Sequence, residues 1–571
     1  MLGDKWICDR TPTERFPNYT RANAGEVLAN PCTPLGWTFG WENGLVLGCR
    51  DGFVGFGVFD ADEYGSPPET FGLFGGYFYN SLTQARLMGV RMPGASPEAI
   101  DQAYFDARPD VPVYKAEPWH DSERHAAKLG ETMGIVLGCD FYQPIEDQKT
   151  ETIALRDGRP DLSRASNDEL VARARRVQPM LIALFDSHVW ASLGASFGPG
   201  IVTATCTELG RAADAVVLLS SIGGVDSAEI AVDLWAMSRR VRASDSLTAA
   251  FDAGLADVAG LIVGSYLADQ IEAFVRKHGS RGPDEWDAGA DSYETNPGLI
   301  YAQLDAMRQQ GDHADPTAAS ARNHVERERI AAEIRDALAG NDEALGMFGV
   351  GLHSADVWQA ARERCKTNNI RGLHEVRMCF DELGRRMTTA GHLARAKQIY
   401  MLLDDEVEAY LADPGSFTDT LATREVDFAE LGTLEPPFIV DKVCPPLSSW
   451  VRRADLTVEP VSAGDVLAGA ACAPGIVSGI ARILSRPDDP SALEPGDILI
   501  TDHTDPSWTP LFLVAGGVIT NVGSFGSHAS IVSRELGIPC VASIADATRR
   551  IPDGAMITID GSTGHVTIDR L

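Results

Sequence analysis

The chain has 571 residues, 44% of them hydrophobic and 23% charged, the balance of an ordinary folded protein with room for roughly two to four domains. Its 49 basic and 81 acidic side chains give a formal charge of −32, which repels nucleic acid and anionic membrane and excludes both as partners. The ten cysteines form no CxxC pair and no histidine-flanked ligand spacing, so neither a zinc site nor a disulfide framework is expected. No basic-then-apolar leader opens the chain, and apolar runs such as 213–222 are too short to cross a bilayer, so a cytoplasmic protein with reduced thiols is expected.

Residues 1–115 are rich in Gly, Pro and aromatic residues, with short apolar runs at Gly44–Gly48, Phe53–Phe59 and Tyr77-Phe-Tyr-Asn80. This texture predicts strands and loops. Residues 116–411 read as mainly helical. Apolar residues recur at spacings of three and four over 167–189, 225–242, 247–277 and 319–338, then over 354–366, 377–387 and 393–411. The pattern stops at Asp413-Pro-Gly415. The pairs Pro436-Pro437 and Pro445-Pro446 predict a stiff, extended linker over 412–462. Beyond it, 463–571 is punctuated by glycines and made of short β-branched runs, with one helix at 527–536. The expected fold class is α+β and multidomain: a mostly helical 1–411 domain with a β-containing start, then a small β/α domain.

In that last region an apolar strand hands over, through Asn521-Val-Gly-Ser-Phe-Gly-Ser527, to a helix that begins at His528 and stops at Gly537-Ile-Pro539. Gly523 and Gly526 allow a tight turn that leaves backbone amides uncovered, and Ser527 adds a hydroxyl. Amides and the positive end of the helix dipole favour an anion there by ~0.3–1 kcal/mol. Neutral imidazole attacks phosphorus without an assisting base. The pattern therefore suits a histidine that carries a phosphoryl group, and equally one that merely caps a helix. His503, in the turn-like Asp502-His-Thr-Asp-Pro506, is a second candidate.

The surrounding segments carry a resemblance. Pro474-Gly-Ile-Val-Ser-Gly479, Pro495-Gly-Asp-Ile-Leu-Ile-Thr501, Thr504-Asp-Pro-Ser-Trp508 and Ser527-His-Ala-Ser-Ile-Val-Ser-Arg-Glu-Leu-Gly-Ile-Pro539 make 463–571 resemble the mobile phosphohistidine domain of the phosphoenolpyruvate-utilising enzymes. The resemblance implies that His528 is phosphorylated and that the domain swings between two active sites. The family usually has a Gly-Gly pair and then a Thr two residues before the histidine. Here those positions hold Gly523-Ser524 and Gly526, and Ser527 is expected to supply the missing hydroxyl.

Asn18-Tyr-Thr-Arg-Ala-Asn23, Gly25-Glu-Val-Leu28, Thr33-Pro-Leu-Gly-Trp37, Gly76-Tyr-Phe-Tyr-Asn80 and Arg362-Glu-Arg-Cys-Lys366 are similar to the acceptor domain of the rifampin phosphotransferases. No Walker-type loop and no ATP-grasp-like stretch is recognisable, and a pyruvate-binding barrel is not expected. The layout resembles a rifampin phosphotransferase or a phenylphosphate synthase subunit without the ATP-grasp domain; in the phenylphosphate synthases the ATP-binding part is a separate subunit. The resemblance thus implies a phosphotransferase of the dikinase type with paired acceptors. An ATP-grasp partner would bind ATP and Mg²⁺ and charge His528, and the phosphohistidine would pass its group to a small hydroxyl-bearing acceptor.

Arg362 and Lys366 stand one turn apart on a helix face, where a guanidinium fork and an ammonium suit a transferring phosphoryl group; a solvated basic face is the plainer reading. Arg371 and Arg377 are weaker neighbours of the same kind. Trp37 and Tyr77, with the other aromatics of 37–79, are expected to wall a pocket for a phenol or aromatic alcohol, or to be core. The alternative to an enzyme is a catalytically silent binding protein that keeps the fold.

Overall fold

A computed structural model describes residues 2–105, 111–220, 222–223, 226–487, 493–524 and 526–571. The chain forms two compact units, Met1–Gly194 with Trp286–Ala290 and Arg364–Thr457, and Ala195–Glu285 with Asp291–Glu363 and Val458–Leu571. The helices Asn167–Glu208, of 42 residues, and Asp342–Thr389, of 48, each supply residues to both units.

The first unit holds a four-stranded antiparallel sheet in the order Phe71–Phe74, Tyr77–Ser81, Asn18–Thr20, Ile439–Asp441. The strand expected at Tyr77 is there, but the runs at 44–48 and 53–59 are not strands. They belong to a π-helical stretch Gly36–Leu45 continued by the helix Val46–Phe56, which Gly57 ends at a φ of 100°. The reason is a glycine at every fourth position, 36, 40, 44, 48 and 52, which bares one face of the helix so that a neighbouring backbone can close in. A Cβ on Gly48 would lie 2.2 Å from the Ile182 carbonyl oxygen, and one on Gly52 2.6 Å from the Val189 Cβ. We expect Gly48→Ala to destabilise this unit by about 1–3 kcal/mol, since neither backbone has room to yield. Denaturant unfolding followed by tryptophan fluorescence reads it; an unchanged midpoint would contradict the close approach.

Two other expectations in this unit change. Over 393–411 the periodicity yields not one helix but 3₁₀ turns at Ala396–Met401 and Asp404–Glu406, then a short helix Val407–Ala412. The segment folds back so tightly that a Cβ on Gly384 would meet the Ala396 carbonyl oxygen at 2.2 Å. Nor is 412–462 a bare linker. It carries the helix Thr418–Leu431 with Leu421 and Leu431 buried, then the strand Ile439–Asp441, and only after Thr457 does the chain leave this unit. The proline pairs shape the loops on either side of that strand.

In the second unit the expected 247–277 helix is broken into Asp245–Asp252, Leu255–Leu261 and Tyr266–His278. Gly254 and Gly264 interrupt it at φ of 119° and 73°, and Ser265 caps the restart. The helix expected from 225 runs Asp226–Arg242, and residue 225 lies outside the described residues. The helix from Asn167 continues far past the expected end at 189 despite Gly198-Pro199-Gly200. Gly198 is there for contact: its Cβ would sit 2.3 Å from the Ala355 amide nitrogen. By length and composition this helix could cross a membrane. Its Leu170, Leu181 and Leu184 instead join the core of the first unit, and Val202 and Cys206 a core of the second.

The C-terminal part is built, among the described residues, on an eight-stranded sheet. Its order is Val466–Ala468, His565–Arg570, Met556–Asp560, Ile476–Ile483, Ile498–Thr501, Gly517–Thr520, Cys540–Ala542, Ala470–Ala473. Ile476–Ile483 through Cys540–Ala542 run parallel, so the loops that follow Thr501 and Thr520 emerge at the same edge. That edge carries His528.

Candidate active site

The helix His528–Leu536 starts where Ser527 caps it, its Oγ accepting from the Ser530 amide at 3.4 Å, and ends at Gly537 with a left-handed φ of 70°. His528 is the first helical residue and half-buried, at the end where first-turn amides face outward and the dipole is positive. The loop before it is braced from beneath. Ser530 Oγ donates to the Ser524 carbonyl at 2.6 Å, Ser527 Oγ meets Ser530 Oγ at 2.9 Å, and Ser543 Oγ donates to the Gly523 carbonyl. Neither Gly523 nor Gly526 has a left-handed φ. Gly523 is needed for space, because a Cβ there would lie 2.9 Å from both the Ala542 Cβ and Thr520 Oγ1.

The ring of His528 is clamped by three residues from the Thr504–Phe512 stretch. Thr504 Oγ1 is 3.0 Å from Nδ1, Thr509 Oγ1 is 3.4 Å from Nε2, and the Phe512 ring lies nearly parallel to the imidazole with centroids 6.0 Å apart. Both threonines are buried. With a threonine at each ring nitrogen, the protonated nitrogen donates and the other accepts, so one threonine must release its bond, the longer one to Thr509 being the weaker, before that nitrogen can act as a nucleophile. Thr504 stands in the quoted Thr504–Trp508 motif, so the segment was visible in the sequence although its role was not.

The helical part of the second unit covers this edge. Gln303 Nε2 donates to the Ser507 carbonyl at 3.0 Å, Asn323 Nδ2 to the Arg534 carbonyl at 3.3 Å, and the Ile222 amide to Glu535 Oε1 at 3.1 Å. Arg362 reaches the same place: a Cβ on Gly526 would lie 3.9 Å from its Nη2. Its guanidinium is half-buried and pairs with Glu363 at 3.5 Å, and Glu363 in turn accepts from Ser227 Oγ at 3.1 Å. The glycine at 526, where the family has Thr, therefore leaves the guanidinium open access to the loop that precedes the histidine.

A half-buried carboxyl lies next to the clamp. Asp505 accepts from the amides of Ser507 at 2.8 Å and Asp284 at 3.3 Å. Burial, joined by the charge of Asp284, raises it from 3.8 to about 6. A carboxyl that holds its proton more tightly when folded stabilises the fold fully below pH 3.8, and that contribution is lost as pH rises through about 6. The stability difference between wild type and Asp505→Asn, measured by urea unfolding at successive pH values, is expected to change across that window. A flat difference would contradict it.

The other sequence candidates fall elsewhere. Lys366 is half-buried one turn beyond Arg362 on the helix Asp342–Thr389, among residues of the first unit. Arg371 donates to Asn368 Oδ1 at 3.4 Å. Arg377 is fully buried and donates to the carbonyls of Asp287 at 2.9 Å and Ala288 at 3.2 Å, so it is part of the fold. His503 is held beside Asp502, 3.5 Å away, and its burial and the carboxylates Asp502, Asp284 and Asp505 act on it in opposite directions, with a net rise in its pKa.

Trp37 and Tyr77 do not wall a pocket. Trp37 is fully buried and stacked on Trp41 at 6.2 Å, and Tyr77 is fully buried with its hydroxyl donating to the Leu431 and Leu434 carbonyls at 2.9 and 3.0 Å. Rings of this size fill the two cores of the first unit. A cavity of about 760 Å³ in that unit is lined by neither ring; its wall mixes Asp9, Glu42 and Asp404 with Ile7, Tyr19 and Leu403.

Known proteins match the two segments that meet at His528. Residues 493–564 match the mobile domain of PEP-utilising enzymes, and residues 187–363 the fourth domain of rifampicin phosphotransferase. An uncharacterised protein of Mycobacterium tuberculosis is 27% identical over 98% of this chain and 62% of its own length. A rifampicin phosphotransferase of Streptomyces sviceus is 29% identical over 53% of this chain and 35% of its own length. An uncharacterised phosphotransferase of Bacillus subtilis is 32% identical over 34% of this chain and 24% of its own. The chain thus spans less than two thirds of the length of these relatives. His528 lies in the first matched segment and Arg362 in the second, so the chain is similar to the mobile domain of PEP-utilising enzymes around the histidine and to rifampicin phosphotransferases over about half of its length.

Proposed function

We propose that this chain is the carrier and acceptor part of a phosphotransferase, in which His528 takes a phosphoryl group that originates in ATP and passes it to a hydroxyl. The carrying observation is the clamped imidazole at a helix N-terminus with a guanidinium beside its loop. In the first step the lone pair of one ring nitrogen forms a P–N bond as the donor P–O bond breaks, while the other nitrogen stays hydrogen-bonded to threonine. In the second, the acceptor oxygen attacks phosphorus, the P–N bond breaks, and the hydroxyl proton ends on the released imidazole. Arg362 offsets charge on the phosphoryl oxygens in that step, with Lys366 as its neighbour along the helix.

The donor in this reading is an ATP-grasp subunit separate from this chain, which binds ATP and Mg²⁺. For the acceptor we retain a small hydroxyl-bearing molecule. The aromatic ring expected of it rested on Trp37 and Tyr77, and both are core residues. The test is incubation with ATP labelled in its phosphoryl groups, with and without the ATP-grasp protein, for wild type and His528→Ala. Equal labelling of both would sink the reading.

A further inference from the structure

In the first unit, three side chains able to ligate a metal come together, and none is a cysteine, so cysteine spacing gives no sign of them. Asp60 caps the turn Ala61–Glu63, and Glu63 Oε2 reaches back to accept from the Asp60 amide at 2.8 Å, which holds the two carboxylates side by side. His125 comes from the first turn of the helix Glu123–Leu137, where its amide donates to the Ser122 cap at 3.4 Å. One ligand atom from each of the three lies within 4.8 Å of the other two.

His125 is 5% exposed, and neither of its ring nitrogens has a hydrogen-bond partner. A buried imidazole in that state is costly and calls for a ligand. Its Nε2 stands 3.3 Å from Asp60 Oδ2 and 3.7 Å from Glu63 Oε2. Those spacings are long for hydrogen bonds. Two ligands of a tetrahedral ion, each bound at about 2.0–2.2 Å, stand about 3.3–3.6 Å apart. The charges agree. Buried Arg91 donates to the carbonyls of Val58 at 2.9 Å and His120 at 3.1 Å, and grips both oxygens of Glu63 at 2.7 and 2.9 Å. Arg91, Asp60 and Glu63 sum to minus one, so the enclosed part of the cluster still attracts a cation. Arg15 and Arg124 also reach these carboxylates, but with side chains 41% and 74% exposed they are screened by solvent and free to yield.

We propose that Asp60, Glu63 and His125 bind a divalent transition-metal ion, zinc by their donor chemistry, with water at the fourth position. One imidazole nitrogen with two carboxylates favours zinc over magnesium or calcium, which take oxygen ligands. Arg91 and the turn amide orient the carboxylates as outer partners of metal ligands do. Asp60 is the most exposed of the three, so the ion and its water enter past it. Once bound, the ion ties the turn Ala61–Glu63 to the helix Glu123–Leu137 and gives the stranded ring its partner. The site stands apart from the His528 reading, and neither depends on the other.

The full chain, stripped with a chelator and dialysed, is titrated with zinc alone. Binding of one zinc per chain is expected, with a raised unfolding midpoint. Asp60→Asn keeps the cap oxygen and the size of the side chain, and should weaken zinc about tenfold; His125→Gln should weaken it about 100-fold. Circular dichroism checks both folds. X-ray absorption at the zinc edge of the wild type needs no variant and should show nitrogen and oxygen ligands without sulfur. Zinc held through sulfur would put the ion on cysteines and overturn the proposal. So would no binding, unchanged affinity in either folded variant, or magnesium bound as tightly as zinc. None of these measurements reads phosphoryl transfer, so their failure leaves the His528 reading standing.

Discussion

His528→Ala should reduce phosphoryl labelling of the chain to background and lower turnover by about 10⁴-fold or more, because in the proposed mechanism it removes the nucleophile rather than weakening it. The structure separates that loss from misfolding. Alanine keeps the first helical position and the Ser527 cap, and it loses the Phe512 contact and hydrogen bonds to Thr504 and Thr509. Each such bond contributes about 0.5–1.5 kcal/mol, so the variant is weakened but folded, which circular dichroism checks. The label on wild type should be lost in acid and kept in alkali, as a P–N bond is and a phosphoserine ester is not. That contrast matters here because Ser524, Ser527 and Ser530 crowd the same turn. Alkali-labile label, or label retained in His528→Ala, would move the carrier to one of them.

The sequence made the C-terminal site legible because its signals are local. A strand, a glycine-containing turn, an N-cap serine and a left-handed stop glycine lie within 21 residues, Gly517–Gly537, and each fixes its own backbone. What surrounds His528 was less legible. Thr504, Thr509 and Phe512 come from the neighbouring strand end, and only the parallel pairing of Ile498–Thr501 with Gly517–Thr520 brings them to the ring.

The first unit misled for the opposite reason. Glycines at 36–52 punctuate a sequence as turns do, yet here they serve tertiary contact, a reason that exists only once Ile182 and Val189 lie alongside. Gly198 in the long helix repeats the lesson. Burial decided the aromatic set: nothing in the sequence around Trp37 or Tyr77 distinguishes a ring that faces a ligand from one stacked on Trp41 or anchored to the carbonyls of Leu431 and Leu434.

Arg362 carries the second large effect, and it should fall on one half of the reaction. The guanidinium stands beside the loop that leads to His528, but it belongs to the helical part of the unit rather than to the segment that matches the mobile domain. Arg362→Ala should therefore charge on His528 at close to the wild-type level and pass the group on about 10²–10³-fold more slowly, the loss typical of a preorganised donor to a charge-bearing oxygen. Single-turnover decay of pre-formed phosphohistidine with acceptor measures the second step alone. Arg362→Lys should recover part of the rate, since an ammonium supplies charge without the fork. Arg377→Ala provides the contrast. Its guanidinium serves the carbonyls of Asp287 and Ala288 inside the core, so that variant should lose folded protein while the surviving fraction transfers normally. If Arg362→Ala slowed charging and transfer equally, the guanidinium would be holding the loop rather than the phosphoryl group. The Glu363 pair would then be the next place to look, because Glu363 ties Arg362 to Ser227 at the start of the helix Asp226–Arg242.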